Sequence, residues 1–237
     1  MDISIAYEDT NLLVINKPAG LIVHQKNATD IQPSVVDWVV ATYPELANVG
    51  EPFIASGFES RRAGIVHRLD KETSGLLLIA KTTDVFYFLK KQFQDHTISK
   101  SYMALVYGRP AVSPGIIDAP LGRVGMKRTT RLEGTKLVDG KASITEYESV
   151  QFFEKYTLVN VRPKTGRTHQ IRVHLKSINC PVAGDSVYAP KGWQPPTGLD
   201  RLFLHAYKLS FATPDGKSLT VECDLPPELQ KVLDMLQ

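Results

Sequence analysis

His67-Arg68-Leu69-Asp70 places an imidazole, a guanidinium and a carboxylate just ahead of a continuous apolar run, Gly75 to Lys81. That run, bounded by a glycine, reads as a buried strand. Asp70 therefore falls in a loop at a sheet edge, and loops held by rigid strands are where reactive groups usually sit. Arg68 and Asp70 are two apart and project to the same side of an extended segment, while Thr73-Ser74-Gly75 supplies a tight turn into the strand. Asp70 is thus a candidate reactive carboxylate. The alternative is a strand-entry loop whose aspartate only accepts hydrogen bonds from backbone amides. Asp70 with Glu72 also suggests the paired carboxylates of glycosidic-bond cleavage, although no motif places the second one.

Other constellations carry less. His169 and His174 lie five apart, about 140° round a helix at 3.6 residues per turn, and so do not share a face as a zinc pair would. Cys180 and Cys223 are the only two cysteines, with no metal-ligand spacing and no disulfide framework. Gly64 and Gly75 belong to no phosphate loop. No metal and no organic cofactor is expected.

The elements that must position these groups mix strands and helices without a βαβ repeat. Asn11 to Asn16 reads as a strand ended by Lys17-Pro18-Ala19-Gly20, Val35 to Tyr43 has helical apolar spacing, and Ala47 to Arg62 reads as a loop. Thr83 is placed to cap a helix to about Phe93. Ser99 to Tyr107 alternates, with Tyr102, Ala104 and Val106 on one face and Met103, Leu105 and Tyr107 on the other. Ile144 to Val150 and Tyr156 to Val161 read as strands, and Thr168 as the cap of a helix from His169 to Ile178. Arg201 to Phe211 and Ser218 to Asp224 form a last strand pair, and Pro226 and Pro227 open a final amphipathic helix. Strand pairs joined by short turns predict an α+β domain on a mixed, largely antiparallel sheet.

The 237 residues, 43% apolar and 22% charged, suit a globular protein with a sizeable core. Leu76 to Ala80 is far shorter than the ~20 apolar residues a membrane span needs, and Met1 to Ile5 lacks the pattern of a signal peptide. A cytoplasmic setting is expected, with no membrane partner. The net charge is only +3, but its distribution is uneven. Lys155 to Gly184 contains no acid yet carries Lys155, Arg162, Lys164, Arg167, Arg172 and Lys176. Ala119 to Leu132 is again acid-free, with Arg123, Lys127, Arg128 and Arg131. Two such blocks point to one charged face and a polyanionic partner.

The segment His67-Arg68-Leu69-Asp70-x-x-Thr73-Ser74-Gly75-Leu76-Leu77 is similar to the signature of the RluA family of RNA pseudouridine synthases. Lys100-Ser101-Tyr102-Met103-Ala104-Leu105-Val106-Tyr107-Gly108 resembles that family's tyrosine-bearing strand. Thr165-Gly166-Arg167-Thr168-His169-Gln170-Ile171-Arg172-Val173-His174-Leu175 with Gly184-Asp185-x-x-Tyr188 is a third match, and Leu204-His205-Ala206 a fourth. The opening, Val14 to His24, fits as well, so the resemblance runs in order from about residue 7 to residue 225.

The resemblance implies a pseudouridine synthase fold with a central RNA-binding cleft, in a single catalytic domain over 1–237; because the matching pattern starts almost at residue 1, the added N-terminal RNA-binding module of many relatives is not expected. It implies cofactor-free isomerisation of uridine in RNA, with ribosomal RNA slightly preferred over transfer RNA; a monomer is expected, with no obligate protein partner evident. Asp70 matches the essential aspartate, acting as nucleophile or as base on the sugar. Arg167 matches the basic residue that pairs with it, and Tyr102 the residue that packs on the uracil and helps remove the C5 proton. Such enzymes flip the target nucleotide out of its stack. Arg68 would fill the vacated position or contact a phosphate, and Leu204 would form part of the pocket wall or simply the core. Arg123, Lys127, Arg128, Arg131 and Arg172 would contact RNA. A binding or ribosome-assembly factor that keeps the fold without chemistry is the competing expectation, and a nucleoside-type glycosidase a third.

Overall fold

The computed structural model describes residues 2–25, 27, 29–55, 58–124, 127–130 and 138–237. They form two compact units, one from Met1–Ser99 and Ala206–Cys223, the other from Lys100–His205 and Asp224–Gln237. The first begins with β1 (Ser4–Glu8), β2 (Leu12–Lys17), α1 (Val35–Thr42) and a 3₁₀ turn (Pro44–Asn48). It continues through the short pair β3 (Phe53–Ala55) and β4 (Phe58–Ser60), then β5 (Ser74–Ala80) and α2 (Thr83–Gln94). The second runs through β6 (Ser99–Tyr107), β7 (Gly115–Asp118), β8 (Leu121–Val124), β9 (Lys127–Thr130), β10 (Val138–Lys141), β11 (Ile144–Phe152), β12 (Tyr156–Pro163) and α3 (Gln170–Ser177). The chain returns to the first unit with β13 (Leu204–Ala212) and β14 (Ser218–Glu222), and α4 (Pro227–Asp234) ends in the second.

In the first unit β2 pairs antiparallel with β1 on one side and β5 on the other, in the register Ile5↔Ile15↔Leu77. Every residue of β5 is buried. Leu12 and Val14 of β2, Leu76 and Leu78 of β5, and Phe86 and Leu89 of α2 share one core cluster. A fully buried leucine contributes about 1.5–3 kcal/mol relative to an exposed one, so this layer makes β5 a rigid support for the loop before it. Helix α2 starts one residue earlier than expected: the hydroxyl of Thr82, not Thr83, accepts from the Val85 amide at 3.3 Å. Asp84 in the first turn and Lys91 in the last favour the helix dipole.

The second unit has the strand order β6-β12-β11-β7 and a separate three-stranded sheet β10-β8-β9. Both faces of β6 are used, as its alternation predicts. Ala104 and Val106, with Tyr102 beside them, join Val159, Val161, Ile171 and Leu175. Leu105 and Tyr107, with Met103, join Leu229, Val232 and Leu233 of α4. The ladders β6–β12, β12–β11 and β11–β7 are antiparallel. The α+β class on a largely antiparallel arrangement is therefore found as expected. The loop expected over Ala47 to Arg62 instead contains the 3₁₀ turn's end and the β3–β4 pair.

Candidate active site

The loop that carries Asp70 is anchored from several directions within the first unit. Val66 and Leu69 are buried. His67 Nε2 accepts the Leu78 amide at 2.8 Å, which fixes the tautomer with the proton on Nδ1, and its ring stacks on Phe93 at 4.6 Å. The Asp70 carbonyl accepts the Thr73 amide at 3.1 Å, closing a turn. Lys17, fully buried, donates from Nζ to the carbonyls of Pro18 and Leu21 at 2.8 Å each and of Lys71 at 3.2 Å. The Gly20 amide reaches the same Lys71 carbonyl at 2.9 Å. Gly75 has φ +114°, and a Cβ there would lie 2.2 Å from the Ala206 carbonyl oxygen of β13. No side chain fits, so this glycine fixes how the loop enters the sheet. Asp70 itself is half-buried and Arg68 exposed.

The remaining expected residues belong to the second unit. Tyr102 is half-buried, its Cα opposite Val161 of β12. It packs on the cluster that also holds Leu204, which is 3% exposed and serves as a core residue. Arg167 sits in the connection from β12 to α3, half-buried, with Nε donating to the Ala142 carbonyl at 3.4 Å. An open groove of about 510 Å³ is lined by Leu121, Arg123, Arg128, Asp139, Lys141, Gly166, Arg167 and Thr168. Arg123 there meets Asp139 at 3.4 Å. Among the lining residues the cations outnumber the single carboxylate, so the groove suits an anion. Lys127 contributes its backbone to β9, and Arg131 lies outside the described residues.

Arg172 is not available for an RNA contact. Its Nε and Nη2 each donate to Asp185 at 2.7 Å, and the two side chains are 7% and 0% exposed. Asp185 Oδ1 also accepts the amides of Val187 and Tyr188, and the guanidinium lies 5.0 Å from the Tyr188 ring centre. The rest of that basic block is also partly matched. Arg162 faces Glu146 and Glu148 at 3.6 Å, and Lys164 reaches Glu146 at 2.9 Å. Cross-strand pairing of Glu146 with Arg162 supplies from β11 the acids that the 155–184 stretch lacks. Thr168 does not cap α3: the N-cap is His169, in the left-handed region at φ 58°, with Nδ1 2.8 Å from the Tyr188 hydroxyl.

Sequence reasoning missed Lys17 and Lys141 as site-forming groups, and Gln170, Thr145 and His174 beneath Arg167. Lys17, Gln170 and His174 were inside recognised motifs; Lys141 and Thr145 had no local signal. Among the described residues no cluster of three or more His, Cys, Asp or Glu could hold a metal ion, and no helix is long and apolar enough to cross a membrane.

Residues 11–177 match the family model described as RNA pseudouridylate synthase. The chain belongs to the RNA pseudouridylate synthase family. The matched span includes the His67, Lys100 and Thr165 blocks on which the family resemblance rests. The ribosomal large subunit pseudouridine synthase D of Nitrosomonas europaea is 38% identical over 241 residues, covering 99% of this chain and 65% of that protein. The protein of the same name from Pseudomonas aeruginosa is 36% identical, covering all of this chain and 72% of its own length. The chain thus spans about two thirds to three quarters of these synthases. The solved structure of human RNA pseudouridylate synthase domain containing 4 superposes with a TM-score of 0.77 at 27% identity, over 98% of this chain and 92% of that one.

Proposed function

We propose that this protein isomerises uridine to pseudouridine in ribosomal RNA, with Asp70 as the catalytic carboxylate. The observation that carries this is the Asp70 loop. His67, Lys17 and Gly75 anchor it to buried structure on every side, yet its carboxylate stays only half-buried. Preorganisation of that kind is what a group acting on a sugar carbon needs. In the reaction the C1′–N1 bond breaks and C1′ bonds to C5. C5 then loses its proton and N1 gains one, so atoms and charge balance without metal or cofactor. Asp70 serves as nucleophile at C1′ or as base on the sugar, Arg167 supplies its counter-charge, and Tyr102 packs on the uracil and assists at C5.

Extracting the nucleotide from its stack costs a few kcal/mol, and Arg68, exposed beside Asp70, fills the vacated place. Arg123 and Arg128, with Lys127 and Arg131 of the same segment, hold RNA phosphates. Ribosomal RNA is favoured because the relatives are named for the large ribosomal subunit. The protein works as a cytoplasmic monomer.

The test uses RNA labelled with tritium at uridine C5, whose release to water follows the bond exchange. Asp70→Asn is expected to abolish release while RNA affinity stays within a few-fold of the parent. Ordinary turnover by Asp70→Asn would sink the assignment. No release from any ribosomal RNA by the parent would favour the assembly-factor reading.

A further inference from the structure

Beneath the basic groove lies a buried polar network with no exposed member, all of it within the second unit. Thr165 and Gln170 are 9% and 4% exposed, and Thr145 and His174 0%. Buried polar groups are costly unless their hydrogen bonds are made, so each partner can be counted. Gln170 Oε1 accepts the Thr165 hydroxyl at 2.7 Å and the Arg167 amide at 3.0 Å. Its Nε2 donates to the Ile144 carbonyl at 2.9 Å and to Thr145 Oγ1 at 3.0 Å. All four positions of the carboxamide are used, which fixes its orientation, since a flipped amide would set donor against donor.

The direction of every proton then follows. Thr145 Oγ1 accepts from Gln170 and lies 2.8 Å from His174 Nδ1, so the protonation of the ring sets the direction of that bond. His174 Nε2 carries a proton, because its partner at 3.0 Å is the Ala119 carbonyl, which can only accept. Burial lowers the His174 pKa below its ordinary value, so near pH 7 the ring is neutral, Nδ1 is bare and the Thr145 hydroxyl donates to it. One ordered run of hydrogen bonds thus leads from the Arg167 peptide N–H to Ala119, at the entry to β8. It crosses the β12–α3 connection, α3 and the start of β11. The Gln170 amide also donates to the Arg167 carbonyl at 3.1 Å, so one residue holds Arg167 on both sides of its backbone.

We propose that Gln170, Thr145 and His174 act as one positioning unit that sets where Arg167 stands relative to the other groove residues. The proposal rests on the reading that Arg167 serves the isomerisation. An apolar cluster could fill the same space, but it would give the Arg167 amide no acceptor and would leave the height of the loop unset. A network with every partner satisfied specifies one arrangement.

The experiment is a double-mutant cycle between Thr145→Val and Arg167→Ala, read as kcat and KM for tritium release. Thr145→Val keeps the shape and removes the hydroxyl that links Gln170 to His174. It should lower kcat roughly tenfold or more, the scale of a small misplacement, with KM nearly unchanged. Thr145→Ser should restore most of the loss. In the Arg167→Ala background, Thr145→Val should cost much less, because its effect is exerted through the arginine. If Thr145→Val does not fold, His174→Gln replaces it, keeping a donor for Ala119 and removing the acceptor for Thr145. Equal, additive losses in the two backgrounds, or a lowered melting temperature with parental kcat, would overturn the proposal while leaving Arg167 catalytic. A normal kcat for Arg167→Ala would instead overturn the reading on which it rests.

Discussion

Replacing Arg172 by alanine separates a structural arginine from an RNA-binding one. Its Nε and Nη2 each donate to Asp185 at 2.7 Å, with side chains 7% and 0% exposed. The variant leaves the carboxylate with the amide bonds from Val187 and Tyr188 but without its counter-charge. Removing one partner of a buried ion pair costs about 3–5 kcal/mol, a large share of the ~5–15 kcal/mol that holds a domain together. Burial alone would raise the Asp185 carboxyl, but the Arg172 guanidinium and the two amides outweigh it and hold it below its ordinary range. A depressed carboxylate contributes stability above its unfolded pKa and loses it as pH falls through the folded one. Without Arg172 that contribution disappears, so the gap between variant and parent should be largest at pH 7 and narrow below about pH 4. Urea unfolding across that range measures it, beside RNA binding as a function of salt. Arg172→Met with Asp185→Leu should recover much of the loss, since apolar replacement of a whole buried pair is often neutral. Destabilisation under ~1 kcal/mol, or a salt slope reduced by the ~0.7–0.9 expected of one phosphate contact, would refute the structural role.

His205 is fully buried, and burial first, then the nearby Arg201, lowers its pKa from 6.5 to about 4. The unfolded chain takes up that proton earlier, so stability should fall as pH drops from 6.5 towards 4. At ~1.4 kcal/mol per pH unit the loss comes to about 3 kcal/mol; His205→Asn should flatten that window in denaturant titrations, and an unchanged slope would exclude His205 as its source. Substituting Arg123, Arg128 and Lys141 together by alanine should lower the log–log salt slope of RNA binding by about 2–3 without changing which uridine is modified, because phosphate contacts position and do not specify. An unaltered slope would move the RNA face elsewhere.

Periodicity located the supports of the site well, because β6 and the strand after Asp70 are decided by local burial. Tyr102, Ala104 and Val106 face one cluster and Met103, Leu105 and Tyr107 the other, as strict alternation requires. Charge was less legible. An acid-free stretch of chain is not an acid-free surface: Glu146 and Asp185 come to Arg162 and Arg172 through a strand ladder and a loop. Cap chemistry misled at Thr168, where the left-handed His169 takes the N-cap position and bonds Tyr188. The network under Arg167 was hidden for a related reason. Gln170 meets Thr145 across 25 residues of sequence, and no local pattern records such a meeting.

The buried ammonium of Lys17 has a practical meaning for labelling. An amine held by the carbonyls of Pro18, Leu21 and Lys71 reacts with an acylating reagent only when it lets go of them. Exposed lysines such as Lys71 modify at the rate of the reagent, whereas Lys17 modifies at the rate at which its segment opens. The ratio of the two in one digest is therefore a clock for the breathing of the Asp70 loop, readable by mass spectrometry in the unaltered protein and with RNA bound or absent.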